Sequence, residues 1–354
     1  MSELVTGSGS VDQLAELVEA WAPRRILLVC TIDRAGIGGR LAGYEVERFG
    51  DFSPNPRLDD ALAGARLAER YAPDLILGVG GGSALDVAKL VRGLPTGQPL
   101  DALAGRVVPV RRAPLVLVPT VAGSGSEVTS FATVYVDGVK HSLDHPAVRA
   151  DLAVVDPSLA ATCPPEVALS GALDALSHAI ESLWALRSTV ESRAFAADAL
   201  ATLGTSGDVS TAATRAGLAI ERTRTTAAHA FAYPLTARFG VRHGLACALN
   251  LVWLLPLTAD VLARECQDPR GVAFVARRLA EIRAVLGEDP GAAIAGLLEA
   301  GGYSPWLCDH GVQEEDLPAL VRAGFGANRA TNGPVRLTPE LVLPALRSRL
   351  RRSS

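Results

Sequence analysis

Short β-branched runs crowd the first 156 residues of this 354-residue chain and then stop. Arg25 to Cys30 (RILLVC), Leu75 to Gly80 (LILGVG), Leu115 to Pro119 (LVLVP), Ser130 to Val136 (SFATVYV) and Leu152 to Val155 (LAVV) read as strands. Between them, Asp59 to Tyr71 and Ala84 to Arg92 repeat apolar residues at helical spacing. Alternating strands and helices predict a largely parallel sheet, because a parallel neighbour is reached only through a crossover. Beyond Asp156-Pro157 every apolar pattern is helical: Glu166 to Leu186, Val190 to Leu203, Ala213 to Phe231, Val241 to Leu262, Gly271 to Leu286, Pro290 to Ala300, Gln313 to Ala323 and Pro339 to Leu350. The expected fold is an α/β amino-terminal domain over residues 1–160 and an all-α carboxy-terminal domain over residues 161–354. A chain of this length can give each its own core.

Composition narrows what such a chain does. A hydrophobic share of 49% with 20% charged residues describes a soluble globular protein, and a net charge of −4 gives no footprint for nucleic acid or an anionic membrane. The five cysteines, Cys30, Cys163, Cys247, Cys266 and Cys308, form no CxxC pair and read as reduced thiols in a cytoplasmic protein. The amino terminus lacks the basic stretch and apolar run of a secretion signal. The apolar run Leu245 to Val261, interrupted by Asn250 and Pro256, is shorter than the ~20 residues of a membrane span and reads as a buried helix or two.

Two apolar segments carry one carboxylate and three imidazoles. In SGALDALSHAIESLW, Asp174 and His178 are four apart and share a helix face. In TTAAHAFAYPLTARFGVRHG, Pro234 is expected to end or kink the helix carrying His229, and Gly240 to let the chain turn so that His243 comes back towards it. Three nitrogens and an oxygen suit Fe(II), Zn(II), Mn(II), Co(II) or Ni(II). In the first half, LILGVGGGSALDVAK runs a strand through Gly80, Gly81, Gly82 and Ser83 into a helix, where bare backbone and free N–H groups can approach a pyrophosphate. The loop PTVAGSGSEVTS adds hydroxyls after another strand. Only two of the 34 basic residues are lysines, Lys89 and Lys140, and both fall in or beside these motif segments.

GVGGGSALDVAK, PTVAGSGSEVTSFATVYVDG, ALDALSHAIES and TTAAHAFAYPLTARFGVRHG, in that order, closely resemble the four signature regions of the iron-dependent (group III) alcohol dehydrogenases. The resemblance implies a nucleotide-binding α/β domain and a helical metal domain enclosing a cleft, with NAD(P)H delivering hydride to an aldehyde whose carbonyl the metal polarises. It makes Asp174, His178, His229 and His243 the ligands of Fe(II), or of Zn(II). It sets Gly80, Gly81, Gly82 and Ser83 against the pyrophosphate, Thr120, Ser124 and Ser126 along the cofactor, and Asp33 near the adenosine ribose; Asp86 and Lys140 are assigned to the cofactor as well. Asp33 disfavours a 2′-phosphate and Arg34 welcomes one, so NADH and NADPH both stay open. A homodimer is implied.

Two departures from the family pattern stand out. Tyr233 occupies a position where most members have a second histidine, and the His178 to His229 interval is roughly a dozen residues shorter than usual. TTAAHAFAYPLT with EVTSFATVYVDGVKHSL looks most like the branch that reduces phosphonoacetaldehyde to 2-hydroxyethylphosphonate, which serves phosphonate biosynthesis, including that of antibiotics. Arg224, Lys140 and Ser142 are the expected phosphonate contacts, since arginine pairs with such oxygens through parallel hydrogen bonds. Tyr233, the cofactor ribose 2′-hydroxyl or His145 would relay the proton. The alternatives are a short-chain alcohol or diol dehydrogenase for neutral aldehydes and a dehydroquinate synthase-like lyase.

Overall fold

The computed structural model describes residues 2–33, 35–326 and 329–351, so Arg34 lies outside the described residues. It divides into two compact units, Met1–Pro164 and Pro165–Ser354.

The amino-terminal unit is built on a six-stranded parallel sheet in the order β1-β8-β5-β4-β2-β3: β1 (Glu3–Thr6), β2 (Arg25–Val29), β3 (Glu45–Phe49), β4 (Leu75–Gly80), β5 (Leu115–Pro119) and β8 (Leu152–Val155). Its helices are α1 (Leu14–Val18), α2 (Ile37–Arg40), α3 (Leu58–Tyr71), α4 (Gly82–Gly93), α5 (Pro99–Leu103) and α6 (Pro157–Ala160). Alternate residues of the strands feed two cores. Ile26, Leu28, Leu75, Leu77, Val116 and Val118 pack with Val11 and Leu14, whereas Leu27, Val29, Ile76, Leu115 and Leu117 pack with Leu85 and Ala88. Burial on both faces explains why these strands read as unbroken apolar runs.

The expected strand at Ser130 to Val136 does not join this sheet. As β6 (Phe131–Val136) it pairs antiparallel with β7 (Val139–Asp144) in a separate hairpin, closed by Asp137 and Gly138 at φ 49° and 78°. Asp-Gly with both residues left-handed is a tight hairpin turn that forces the chain straight back. Sequence reading also missed β1 and β3. They are the two edges of the sheet, with mostly exposed side chains, so they lack an apolar run.

The carboxy-terminal unit is helical: α7 (Pro165–Trp184), α8 (Val190–Thr205), α9 (Val209–Thr223), α10 (Ala227–Phe239), α11 (His243–Glu265), α12 (Val272–Leu286), α13 (Pro290–Ala300), α14 (Leu317–Gly326) and α15 (Pro339–Arg347). One apolar core, including Ile180, Trp184, Phe231, Leu249 and Trp253, runs through them. The expected helix Ala213 to Phe231 is two, broken at Arg224, whose φ of 58° no helix accommodates. Pro234 does not end α10, and Pro256 does not divide α11. Each costs about 3 kcal/mol in a helix interior, offset by the burial of both helices in the core. At 23 residues α11 is long and apolar enough to cross a membrane by length and composition, but 78% of its apolar window is buried inside the unit, as in a core helix.

Candidate active site

The metal-ligand candidates all lie in the carboxy-terminal unit. Helix α7 carries Asp174 and His178 on one face, α10 carries His229, and His243 is the first residue of α11. Gly240, at φ 68°, closes α10 in the left-handed region, and three residues later α11 begins against α7. Gly244 permits that approach, since a Cβ there would stand 1.8 Å from the Ser170 carbonyl oxygen. The packing delivers the imidazoles to one carboxylate oxygen. Asp174 Oδ1 lies 3.3 Å from His229 Nε2, 3.8 Å from His178 Nε2 and 4.0 Å from His243 Nε2. The His178 and His229 rings stack at 4.6 Å.

Two residues escaped sequence reading. Cys247, one turn after His243 on α11, is fully buried, and one donor atom each from Asp174, His229, His243 and Cys247 lie within 4.8 Å of one another. Glu181, also fully buried, takes His229 Nδ1 at 2.5 Å with one oxygen, and the Thr226 hydroxyl and the Ala228 N–H with the other at 2.5 and 2.7 Å. Its signal was available: seven residues after Asp174 and three after His178, it continues their helix face. By holding a proton on Nδ1, Glu181 leaves His229 Nε2 as the donor facing Asp174, the arrangement that orients histidine ligands. Asn250 fixes the same turn, donating to the Ala228 carbonyl and accepting from Trp253.

A divalent cation fits this donor set. Asp174 Oδ1 and His229 Nε2 are buried and find no hydrogen-bond partner among the described residues, a costly state that a shared ion relieves. The electrostatics agree. Burial would raise the Asp174 carboxyl, but His178, His229 and His243 hold it well below the usual carboxylate range. Burial would also raise Glu181, and His229 lowers it. His229 is raised well above its ordinary value despite burial, by Cys247 and then Glu181, while burial pushes the Cys247 thiol up to about 11. Positive charge is wanted at this point, and a metal supplies it while leaving the imidazoles neutral.

The glycine-rich turn lies in the amino-terminal unit, at the carboxyl end of β4. Strand order reverses between β2 and β4, the position at which open α/β sheets leave a crevice for nucleotides. Gly80 has φ 147°, and a Cβ on it would meet Ala84 at 2.7 Å. A Cβ on Gly81 would meet Val121 at 3.2 Å, and one on Gly82 the Ser124 hydroxyl at 3.0 Å. Thr120 N donates to the Gly80 carbonyl, so the two loops adjoin as expected. Ser83 accepts from Asn55 N. Beneath them lies an ionic network. Lys89, fully buried, donates to Ser126, Thr129 and the Phe131 carbonyl at 2.9 to 3.0 Å. Asp86 accepts from the Ser126 hydroxyl at 2.6 Å and from Thr133 N. Asp86 and Ser126 are thus bonded to one another and to neighbouring parts of the loop. Asp33, just after β2, accepts the Ile37 and Gly38 N–H groups and starts α2.

The remaining candidates are dispersed. Lys140 and Ser142 lie on β7, opposite Tyr135 and Thr133. His145 caps the turn Pro146–Val148 by accepting from Ala147 N at Nδ1. Arg224, in the other unit, turns its guanidinium back on α9, to the Ile220 and Glu221 carbonyls and the Glu221 carboxylate. Tyr233 lies parallel to the His243 ring, 5.8 Å away and tilted by 7°.

Comparison with known proteins bears on both halves. The family described as "Iron-containing alcohol dehydrogenase" matches residues 2–157, and "Fe-containing alcohol dehydrogenase family, C-terminal" matches residues 168–350. The chain is 35% identical to the phosphonoacetaldehyde reductase of Streptomyces viridochromogenes, over 70% of each chain. It is 31% identical to a long-chain-alcohol dehydrogenase of Geobacillus thermodenitrificans, over 73% of this chain and 72% of that one. The structure of a sulfoacetaldehyde reductase from Bifidobacterium kashiwanohense with NAD+ superimposes with a TM-score of 0.84 at 25% identity, covering 99% of this chain and 98% of that one.

Proposed function

The chain belongs to the iron-containing alcohol dehydrogenases, a family that uses NAD(P) and iron, and is an NAD(P)- and metal-dependent alcohol dehydrogenase; from that premise we propose that it reduces phosphonoacetaldehyde to 2-hydroxyethylphosphonate in phosphonate biosynthesis. The observation that carries the substrate is the 35% identity to a phosphonoacetaldehyde reductase. A relative that reduces sulfoacetaldehyde, also a short aldehyde ending in an oxyanion, points the same way.

Asp174, His178, His229 and His243 hold the ion in this reading, and Glu181 fixes the His229 tautomer. Bound there, iron or zinc polarises a carbonyl, and the nicotinamide supplies hydride. The Gly80–Ser83 turn offers backbone N–H groups and the start of α4 to the pyrophosphate. Tyr233, against His243, is assigned the proton in preference to His145, whose Nδ1 already caps a turn. We place the enzyme in the cytoplasm as a homodimer.

The test is oxidation of NADH and NADPH by Fe(II)- and Zn(II)-loaded protein, with phosphonoacetaldehyde, propionaldehyde and lactaldehyde at equal concentration. Strong preference for phosphonoacetaldehyde is the expected result. Preference for the neutral aldehydes would move the function to general alcohol metabolism, and failure to consume the nucleotide stoichiometrically would point to a lyase.

A further inference from the structure

An aldehyde with one methylene between its carbonyl and its anion must find both the ion and a cation in a small space. Arg224 is committed to the end of α9. Its neighbour Thr225, buried, instead accepts a 2.7 Å hydrogen bond from Nη1 of Arg329. Arg329 is half-buried, its Cζ is 5.6 Å from the centre of the Tyr233 ring, and Tyr233 lies flat against His243. The guanidinium and a ligand of the candidate metal centre therefore lie 5.6 and 5.8 Å from the centre of the same ring.

The position is built, because the chain around it is pinned. Asn332 donates to the Thr223 and Thr225 carbonyls at 2.8 and 3.2 Å, and its own carbonyl accepts from Leu186 N. Yet among the described residues Arg329 forms no ion pair with a carboxylate, whereas Arg224, Arg238, Arg270 and Arg336 all do. A guanidinium held against an aromatic face with no carboxylate beside it keeps its remaining donors for an arriving anion. Its planar fork matches the oxygens of a phosphonate or sulfonate.

We propose that Arg329, anchored by Thr225 and stacked on Tyr233, is the cation that receives the phosphonate group of the substrate and so sets the specificity of the site. The proposal rests on the reading of the substrate as a short aldehyde bearing an oxyanion. Arg329 replaces Arg224 as the phosphonate contact in the carboxy-terminal unit, and Thr225, the residue next to Arg224, gains a role as the threonine that aims it.

The experiment compares the wild type with Arg329→Ala and Arg329→Lys, all metal-loaded, on phosphonoacetaldehyde and propionaldehyde. In Arg329→Ala the ratio of kcat/KM for phosphonoacetaldehyde to that for propionaldehyde falls about 10- to 100-fold, mainly through KM, the size expected for lost charge-assisted hydrogen bonds. Arg329→Lys, the conservative change to use should the alanine variant not fold, keeps the charge and recovers part of the ratio. Equal losses on both aldehydes would overturn the proposal and leave Arg329 as support for Tyr233. Inhibition of propionaldehyde reduction by 2-hydroxyethylphosphonate decides independently of the true substrate. If the wild type shows no preference for phosphonoacetaldehyde, the functional reading fails, but weaker inhibition of Arg329→Ala still supports an oxyanion site, and unchanged inhibition overturns it.

Discussion

In the candidate metal pocket, side chains from α7, α10 and α11 point at one spot, and Asp174 Oδ1 and His229 Nε2 there are left for something else to satisfy. In the Gly80–Ser83 turn, side chains are kept away. Its glycines leave bare backbone, and the charged residues beneath, Asp86 and Lys89, share Ser126 as a partner. The first site is made by what is present and the second by what is omitted. The two should therefore fail in opposite ways: the pocket when atoms are removed, the turn when atoms are added.

His229→Ala gives the largest effect. It removes a nitrogen from the centre of the ligand set and leaves Glu181 buried without its imidazole. Turnover should fall about 1,000-fold or more, the several kcal/mol that carbonyl polarisation contributes, and metal content measured on the purified protein should fall with it. NADH binding, followed by nucleotide fluorescence, should stay near the wild-type value because the turn lies in the other unit. Retained activity would remove His229 from the site. Glu181→Gln comes next. Glutamine keeps an acceptor for Thr226 and Ala228 but offers N–H to His229 Nδ1, driving the ring proton to Nε2, where the ligand lone pair is needed. Metal affinity by competitive chelation should fall about 10- to 100-fold with little change in melting temperature. A large loss of stability with normal metal affinity would make Glu181 an element of packing only.

The same contrast governs what could be read from the sequence. That these four residues come together was legible because they are chemically rare and regularly spaced: Asp174 and His178 are one turn apart, and His229 and His243 flank a glycine turn. Glu181 and Cys247 were harder. A carboxylate on a helix reads as a solvated face until its burial is known, and the cysteine, one turn after His243, reads as an ordinary core residue until α11 is seen pressed against α7 at Gly244. The buried strands declared themselves as apolar runs, while the edge strands β1 and β3 had no pattern to show. Nothing in the sequence separates Arg224 from Arg329, and the difference shows only in the fold: Arg224, at φ 58°, turns its guanidinium to α9, whereas Arg329 donates to Thr225. At Pro234 and Pro256 local propensity yielded to the packing of α10 and α11: neither proline ends its helix, and of the two readings of Leu245 to Val261 the single buried helix is the one found.

Gly80→Ala tests the turn by addition. The new methyl carbon would stand 2.7 Å from Ala84 and force a left-handed φ on a residue with a side chain. That costs about 1–3 kcal/mol, and KM for the nucleotide should rise about tenfold, the same energy expressed as binding, with metal content unaffected. A loss of metal would break the comparison.

Ser126→Ala is the smallest change and the sharpest. The resemblance sets Ser126 along the cofactor, but its hydroxyl donates to Asp86 at 2.6 Å and accepts from Lys89 at 2.9 Å, and the residue is buried. If the hydroxyl belongs to the network, its removal deprives buried Lys89 and partly buried Asp86 of one hydrogen bond each. Lys89 keeps Thr129 and the Phe131 carbonyl, and Asp86 keeps Thr133 N. Stability should then drop by about 1–2 kcal/mol, with KM for NADH and NADPH within about twofold of wild type. If the hydroxyl instead reaches the cofactor, KM rises and the unfolding midpoint holds. The turn would then recognise its ligand with side chains as well as backbone, and the opposition between the two sites would narrow to the glycines alone.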